Sequence, residues 1–340
     1  MNGPLKAALI GSGMIAETHL KALNAAGIEV RGICSLDLPS ASLLADKYGT
    51  EVYASFDDLL CDDIDFGAVC TPSASHASLA ASLMEHGKHA VTEKPAVITH
   101  EDGIMLLETE KRTGKICAPI SQMRFSDTYR TVKAALDRGD FGRLLLGILT
   151  MKYSRSREYY AGSWRGTKAI DGGGALMNQG IHGIDILCGL LGYPVKITGH
   201  TATLHHDIEV EDTACASIVF PDGTLGVITA GTAVTHAKPR RLEICGTRAS
   251  ITLVEDIIAS AEGIELSGSR ESEVRGWSKP ADIGAELHTA QYRNIAAAIR
   301  GEEPLAYTLR EAVKTVEVIL GIYTSSETGS CITMDPDTAK

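Results

Sequence analysis

Nowhere in this sequence do about 18 apolar residues run together without interruption, the minimum for a helix that crosses a membrane. The eight cysteines, at positions 34, 61, 70, 117, 188, 215, 245 and 331, are scattered and include no CxxC pair. That spacing does not read as a disulfide frame or a zinc site. Several sit in apolar runs such as Ala68-Val69-Cys70, as buried thiols in a reducing cytosol do. Basic residues are in deficit, with 32 Lys and Arg against 43 Asp and Glu and a net charge of −11. Nucleic acid and anionic membrane are therefore not expected as principal partners, since both need a basic face. The sequence has no internal repeat and no low-complexity tract, and Met1 to Lys6 lack the tripartite pattern of a signal peptide. A cytoplasmic globular protein is expected.

What is present fills two domains. The chain has 340 residues, 44% hydrophobic and 22% charged, more than one ordinary domain uses and enough to build real cores. Strands are expected at Leu5–Ile10, Glu29–Cys34, Phe66–Cys70, His89–Thr92 and Ile116–Ile120. Helical patterns lie between them at Ile15–Ala26, Pro39–Tyr48, His76–His86 and Glu101–Thr113, with a short capped helix opening at Ser55. This alternation implies right-handed βαβ units and a doubly wound parallel sheet. After a helix at Thr128–Arg138 the strands lengthen: Leu144–Tyr153, Lys196–Leu204, Thr213–Phe220, Thr224–Thr235, Arg240–Gly246 and Ser250–Leu253. Phe220-Pro221-Asp222-Gly223-Thr224 reads as a hairpin turn. The second half should carry a large, open, mostly antiparallel sheet, with helices at Gly183–Leu191, Glu286–Arg300 and Leu309–Ser326 over one face. The fold class is α/β followed by α+β, with domains at 1–123 and 124–340.

Gly11-Ser12-Gly13-Met14-Ile15-Ala16 follows the first strand directly and opens the first helix. Gly11 permits the tight turn, Gly13 lets backbone approach a diphosphate, and Ala16 allows close helix–strand packing. The diphosphate would sit on the helix N-terminus beside Met14 and Ile15. At the end of the second strand, where an acid would grip the adenine ribose of NAD, stands Ser35, and Asp37, two residues on in the next turn, could substitute for the acid. No arginine follows to take a 2′-phosphate, so NAD is weakly preferred over NADP. Thr71-Pro72 marks a strand tip beside the cofactor, and His76 opens the next helix. For Ser73 and Ser75 helix capping competes with a cofactor role, and for His76 a structural and a cofactor role weigh equally.

Glu93-Lys94-Pro95 closes the strand ending in Thr92. Proline biases the preceding residue toward extended backbone, which holds Lys94 at the C-terminal edge of the sheet, where open α/β sheets bind ligands. In isolation this would be a solvated turn lysine. Downstream, Asp171-Gly172-Gly173-Gly174-Ala175-Leu176-Met177-Asn178-Gln179-Gly180-Ile181-His182-Gly183-Ile184-Asp185 places three glycines ahead of a histidine.

These motifs in this order resemble the glucose–fructose oxidoreductase/inositol dehydrogenase/rhizopine catabolism (Gfo/Idh/MocA) family over almost the whole chain. The resemblance implies a Rossmann domain joined to an open-sheet domain, and NAD(P)-dependent hydride transfer to or from a sugar or cyclitol hydroxyl. His182 matches the family's active-site histidine and is the expected proton acceptor. Lys94 would hydrogen-bond the same oxygen. Many relatives have aspartate where this chain has Asn178, so the imidazole gains orientation but no charge, and more of the work falls on Lys94. The Asn-Gln pair is similar to the branch acting on nucleotide-linked or pyranose sugars. Asp185, three residues after His182, is a catalytic partner, a substrate ligand or a structural helix acid. Arg124, Tyr153, Trp164 and Arg165 are expected to bind substrate with Lys94, Asn178 and His182. For Trp164, Arg165 and Lys168 loop anchoring competes equally with substrate binding, and the run of Tyr153, Arg157, Tyr159 and Tyr160 could line the same cleft. His205-His206 do not suggest a metal, because adjacent strand residues face opposite ways, and no metal is expected.

The leading expectation is a sugar, sugar-derivative or cyclitol dehydrogenase. A lyase or glycosidase using transient oxidation by bound NAD, and a non-catalytic cofactor sensor, are the alternatives. A homodimer or homotetramer through the second domain's sheet should cover its exposed face.

Overall fold

The protein is described by a computed structural model covering residues 3–266 and 284–334. Its described residues form two compact units, 3–122 with 284–312 and 123–266 with 313–334.

In the first unit the chain alternates strand and helix: β1 (Lys6–Ile10), α1 (Ala16–Ala25), β2 (Glu29–Cys34), α2 (Leu38–Tyr48), β3 (Glu51–Val52), α3 (Phe56–Cys61), β4 (Phe66–Val69), α4 (His76–Glu85), β5 (His89–Thr92), α5 (His100–Thr113) and β6 (Cys117–Pro119). The strands form one parallel sheet in the order β3-β2-β1-β4-β5-β6. Chain order reverses between β1 and β4, and loops at the carboxyl ends beside such a switch form a ligand crevice. Local chemistry sets the helix ends. Asp37, Ser55 and Thr99 accept backbone N–H bonds at the starts of α2, α3 and α5, and Gly49 and Gly114 end α2 and α5 in left-handed geometry. β1, β4 and β5 are buried almost throughout, as strands covered on both faces must be.

The second unit holds α6 (Asp127–Asp137), β7 (Leu144–Ser154), the one-turn helices α7 (Arg157–Tyr160) and α8 (Lys168–Asp171), α9 (Ile181–Leu191), β8 (Lys196–Ala202), β9 (Thr213–Val219), β10 (Leu225–Gly231), β11 (Ala233–Gly246), β12 (Ser250–Val254) and β13 (Ile257–Glu262). After α10 (Glu286–Ile299) and α11 (Leu309–Thr328), β14 (Ile332–Thr333) pairs with β8 and completes an eight-stranded sheet, β13-β12-β11-β7-β10-β9-β8-β14. Every neighbouring pair is antiparallel except β7 with β10. The expected break between strands at Thr235 and Arg240 is instead an irregularity inside β11, whose register against β7 shifts on either side of Lys238. Pro239 lies at this point and brings no N–H to the ladder.

α9 packs on β7 and β11, and the later part of α11 meets β8, where Ser325 Oγ accepts the Gly199 N–H at 3.0 Å. α10 departs from expectation. It packs on α1 in the first unit, where Tyr292, Ile295 and Ala296 join a core with Leu20, Leu23 and Phe66, and Tyr292 stacks on Phe66. An amphipathic stripe reveals that a helix buries one face; it does not say against which sheet.

Candidate active site

The first unit builds a turn that fits a dinucleotide. Gly11 has φ +104°, and a Cβ there would lie 2.6 Å from the Cys70 carbonyl oxygen, so only glycine is accommodated. A Cβ on Gly13 would meet nothing within 4 Å, which leaves open space above the turn. Ile15 supplies no side-chain cap to α1, so orphan N–H groups at its start remain for an anion. Met14 is exposed beside them. At the end of β2, Ser35 Oγ lies 2.8 Å from Ser12 Oγ and accepts the Asp37 N–H at 3.1 Å. Asp37 uses one carboxylate oxygen to cap α2 through the Ser40 N–H at 3.1 Å. The ribose-reading position is thus a small hydroxyl network.

After β4, Thr71 and Pro72 lead into a 3₁₀ turn at Ser73–Ser75, with Thr71 Oγ1 2.7 Å from Ser75 Oγ. His76 is buried, and its Nδ1 and Nε2 each lie 2.7 Å from a backbone carbonyl, of Pro95 and Thr71 respectively. Both ring nitrogens are spent within the protein, so His76 ties the Thr71 loop to the Lys94 loop and has none to offer a cofactor. Burial lowers its proton affinity from the ordinary value, with the two carbonyls acting against that.

Lys94 lies two residues past the end of β5, at the carboxyl edge of the sheet, and is half-buried. Its peptide bond to Pro95 is cis. Glu93 is buried and points into the unit, accepting the Lys94 N–H at 3.0 Å through Oε2 while its Oε1 lies 2.9 Å from His19 Nε2. Burial acts to raise the Glu93 pKa, but the hydrogen bond from His19 and the nearby His288 imidazole outweigh it and hold the carboxyl well below its usual range. Among the described residues, His19, Glu93 and His288 form a group whose potential ligand atoms all lie within 4.8 Å of one another.

In the second unit the three glycines serve a close approach. Gly172 ends α8 in left-handed geometry, and Gly174 lies against the Glu211 backbone so tightly that a Cβ would overlap its carbonyl oxygen. The buried Glu211 carboxylate accepts the N–H groups of Gly174 and Leu176 at 2.9 and 2.8 Å and the Tyr323 hydroxyl at 3.0 Å. Burial raises its pKa despite these donors. The clamp starts a π-helical turn, Ala175–Gly180, which runs into α9. Such wide turns recur at functional sites, and this one presents half-buried Asn178 just ahead of half-buried His182.

Asn178 Nδ2 donates to Asp171 Oδ1 at 2.6 Å, and the other Asp171 oxygen accepts the Gly166 N–H at 2.9 Å. A buried carboxylate therefore stands behind Asn178. Asn178 brings no charge of its own, as expected from its amide; Asp171, read from sequence only as the residue before the glycines, places a carboxyl group against that amide.

Asp185 and Arg124 are placed against each other. Arg124 donates from Nε to Asp185 Oδ2 at 2.8 Å and from Nη2 to Oδ1 at 2.7 Å, and Thr315 Oγ1 donates to Oδ1 at 3.1 Å. Both side chains are more than nine-tenths buried. This is a bidentate internal pair that ties α9 to the segment before α6.

A polar aromatic cluster surrounds Tyr159. Arg165 lies 4.9 Å from both the Tyr159 and Trp164 rings, and Arg155 lies 5.8 Å from Tyr153 and 5.4 Å from Tyr159. Gln179 Nε2 donates to the Tyr159 hydroxyl at 3.1 Å and Arg155 donates to Gln179 Oε1, which connects the cluster to the π turn. Of the residues expected to bind substrate, Tyr153, Trp164 and Arg165 therefore share one neighbourhood with Asn178, whereas Arg124 lies within the buried pair. Arg155, His19, His288 and Asp171 escaped the sequence reading. Only His19 left a usable trace, as a histidine on the buried stripe of α1.

Residues 5–120 match the family described as "Oxidoreductase family, NAD-binding Rossmann fold", and residues 129–252 match the "GFO/IDH/MocA C-terminal domain". Together the two matches cover more than half of the sequence. The chain belongs to the Gfo/Idh/MocA oxidoreductase family. Among its relatives, the D-glucoside 3-dehydrogenase of Escherichia coli is 24% identical over 97% of each chain. The inositol 2-dehydrogenase of Salmonella typhimurium is 32% identical over 42% of this chain and 44% of that one. In three dimensions the chain is similar to the WlbA dehydrogenase of Chromobacterium violaceum, solved with NADH and UDP-GlcNAcA. The TM-score is 0.88 with 28% identity, covering 98% of this chain and 97% of that one. The protein is thus a nicotinamide-dependent dehydrogenase by family, and the open glycine turn on α1 fits that cofactor.

Proposed function

We propose that this protein oxidises or reduces a secondary hydroxyl of a pyranose, a nucleotide-linked sugar or a cyclitol, with NAD preferred over NADP. Lys94 carries the reading: a lysine at the carboxyl edge of the same parallel sheet whose β1–α1 turn is open to a diphosphate. When bound, the nicotinamide accepts or returns a hydride. Lys94 donates a hydrogen bond to the reacting oxygen and stabilises its developing charge. His182, near the start of α9, takes or gives the hydroxyl proton, and the π turn before it is held by the bond of Asn178 to the buried Asp171. Tyr153, Arg155, Trp164 and Arg165 supply the stacking faces and cationic donors that sugars and their anionic substituents need. WlbA, solved with a nucleotide sugar acid, supports the nucleotide-linked class. Absorbance at the reduced-nicotinamide band should rise with NAD⁺ and at least one member of a panel of UDP-sugars, free pyranoses and inositols. Tight cofactor binding with silence across the panel would sink the proposal.

The protein is further proposed to be a cytoplasmic homodimer or homotetramer. Its cysteines are all free thiols, which suits a reducing compartment. No helix among the described residues is long and apolar enough to cross a membrane. On the face of the eight-stranded sheet turned away from α9, Val219, Leu225 and Leu146 sit side by side in register across β9, β10 and β7. Val227 and Ile148 pair beside them, and Leu225 and Val227 are exposed. A contiguous apolar ladder of this kind is ordinarily covered, and a second copy would do so. Light scattering should give at least twice the 36.1 kDa chain mass, and a monomer at micromolar concentration would refute the assembly.

A further inference from the structure

A buried polar cluster of the first unit lies directly behind Lys94. Tyr292 Oη is 2.6 Å from His19 Nδ1, His19 Nε2 is 2.9 Å from Glu93 Oε1, and Glu93 Oε2 accepts the Lys94 N–H at 3.0 Å. His19 and Tyr292 have no measurable exposure, and Glu93 has 8%. An arrangement with a neutral ring satisfies every bond in the chain. Tyr292 donates its O–H to Nδ1 of a neutral His19, and His19 donates from Nε2 to an ionised Glu93. Burial favours the neutral ring and the protonated phenol. The three anchors come from α1, α10 and the tip of β5, so the chain of bonds spans the elements that frame the cofactor turn. His288 approaches from α10, with Nε2 3.8 Å from Glu93 Oε1, too far for a hydrogen bond.

We infer that His19, braced by Tyr292 and acting through Glu93, is a positioning residue that holds the Lys94 backbone in its working place. The inference rests on the reading of Lys94 as the group that touches the reacting oxygen. A lysine on a flexible stem is effective only if its Cα is fixed, because small misplacements of a reacting group cost large factors in rate. With Glu93 anchored at both oxygens, the Lys94 N–H has one direction in which to point. His19, Glu93 and His288 are also close enough to share a cation, but the hydrogen bonds already account for His19 and Glu93 without one.

The test compares His19→Leu, which removes the donor, with His19→Gln, whose amide can still reach Glu93. His19→Leu should lower kcat by about 10- to 100-fold, with KM and the NAD⁺ dissociation constant within about threefold, because the relay acts through Lys94 and not through the glycine turn. His19→Gln should recover most of that loss. Tyr292→Phe keeps the ring stack on Phe66 and removes only the hydroxyl, so it provides a readout even if His19→Leu does not fold. It should lower kcat by about 3- to 10-fold at near-normal melting temperature. Wild-type kcat in Tyr292→Phe, or equal losses in the Leu and Gln variants accompanied by weaker cofactor binding, would overturn the inference. So would one equivalent of zinc per purified chain whose chelation abolishes turnover. Wild-type turnover in Lys94→Ala would instead remove the reading of Lys94 on which the inference stands, whatever His19 does.

Discussion

Lys94→Ala is expected to lower kcat by about 10²- to 10³-fold, the usual cost of deleting one donor aimed at a developing oxyanion. Cofactor affinity should change by less than about threefold, since the turn proposed to take the diphosphate is Gly11–Ala16 with the start of α1, elements that the Lys94 side chain does not build. The two quantities separate because the lysine's contribution appears only as charge develops on the reacting oxygen, and such interactions raise kcat without tightening the ground state. Single-turnover absorbance gives the first number, and fluorescence quenching on NAD⁺ titration gives the second. Parallel losses in both would make Lys94 a structural residue of the sheet edge. Lys94→Arg tests geometry, because it keeps the charge while replacing a compact ammonium with a planar fork, and it should recover little. Asp171 behind Asn178 also tempers the share of the chemistry assigned to this lysine. On the proposed reading of His182 as the proton acceptor, a buried carboxylate behind Asn178 divides the work more evenly than Asn178 alone implies.

What sequence could and could not reveal follows from the range of the interactions involved. The β1–α1 turn and the Lys94 tip are local: glycine freedom, an apolar run and a proline lie within a few residues of each other, and their placement at strand ends could be read directly. The alternation of strands and helices fixed the parallel sheet for the same reason. His19 depends on Glu93 and Tyr292, 74 and 273 positions away, and no periodicity connects them. Asp171 was hidden differently. It stood beside three glycines that drew attention to backbone approach, and only the fold of the π turn brings its carboxylate to Asn178. α10 was assigned to the wrong sheet because its stripe is equally suited to either. β13 went unread because its residues are half-buried or exposed throughout, without the alternation that marks a half-buried strand.

Asp185 separates a catalytic from a structural carboxylate most sharply. Asp185→Asn should destabilise the protein by about 3–5 kcal/mol, the range for breaking one side of a buried ion pair. The loss arises because the Arg124 guanidinium, more than nine-tenths buried, would keep its charge and lose its counter-ion. Thr315 would keep an acceptor in the asparagine, so the missing charge dominates. Gly189 shows how closely the pair is packed: a Cβ there would fall about 3.0 Å from the Arg124 guanidinium carbon, leaving little room for water to compensate. Arg124→Met should be comparably damaging, whereas Arg124→Met with Asp185→Leu should recover a large part of the loss, since two apolar side chains of similar volume need no counter-charge. Thermal or urea unfolding measures each term, and kcat of the folded fraction should stay within about threefold of wild type, because none of these groups then acts on the reacting oxygen. A catalytic Asp185 makes the opposite demand, with Asn178 and His182 in place and melting unchanged but turnover lost. The bidentate contact and the third bond from Thr315 favour the first outcome: α9 carries His182 near its start, and the Arg124–Asp185 pair fixes the same helix one turn further on.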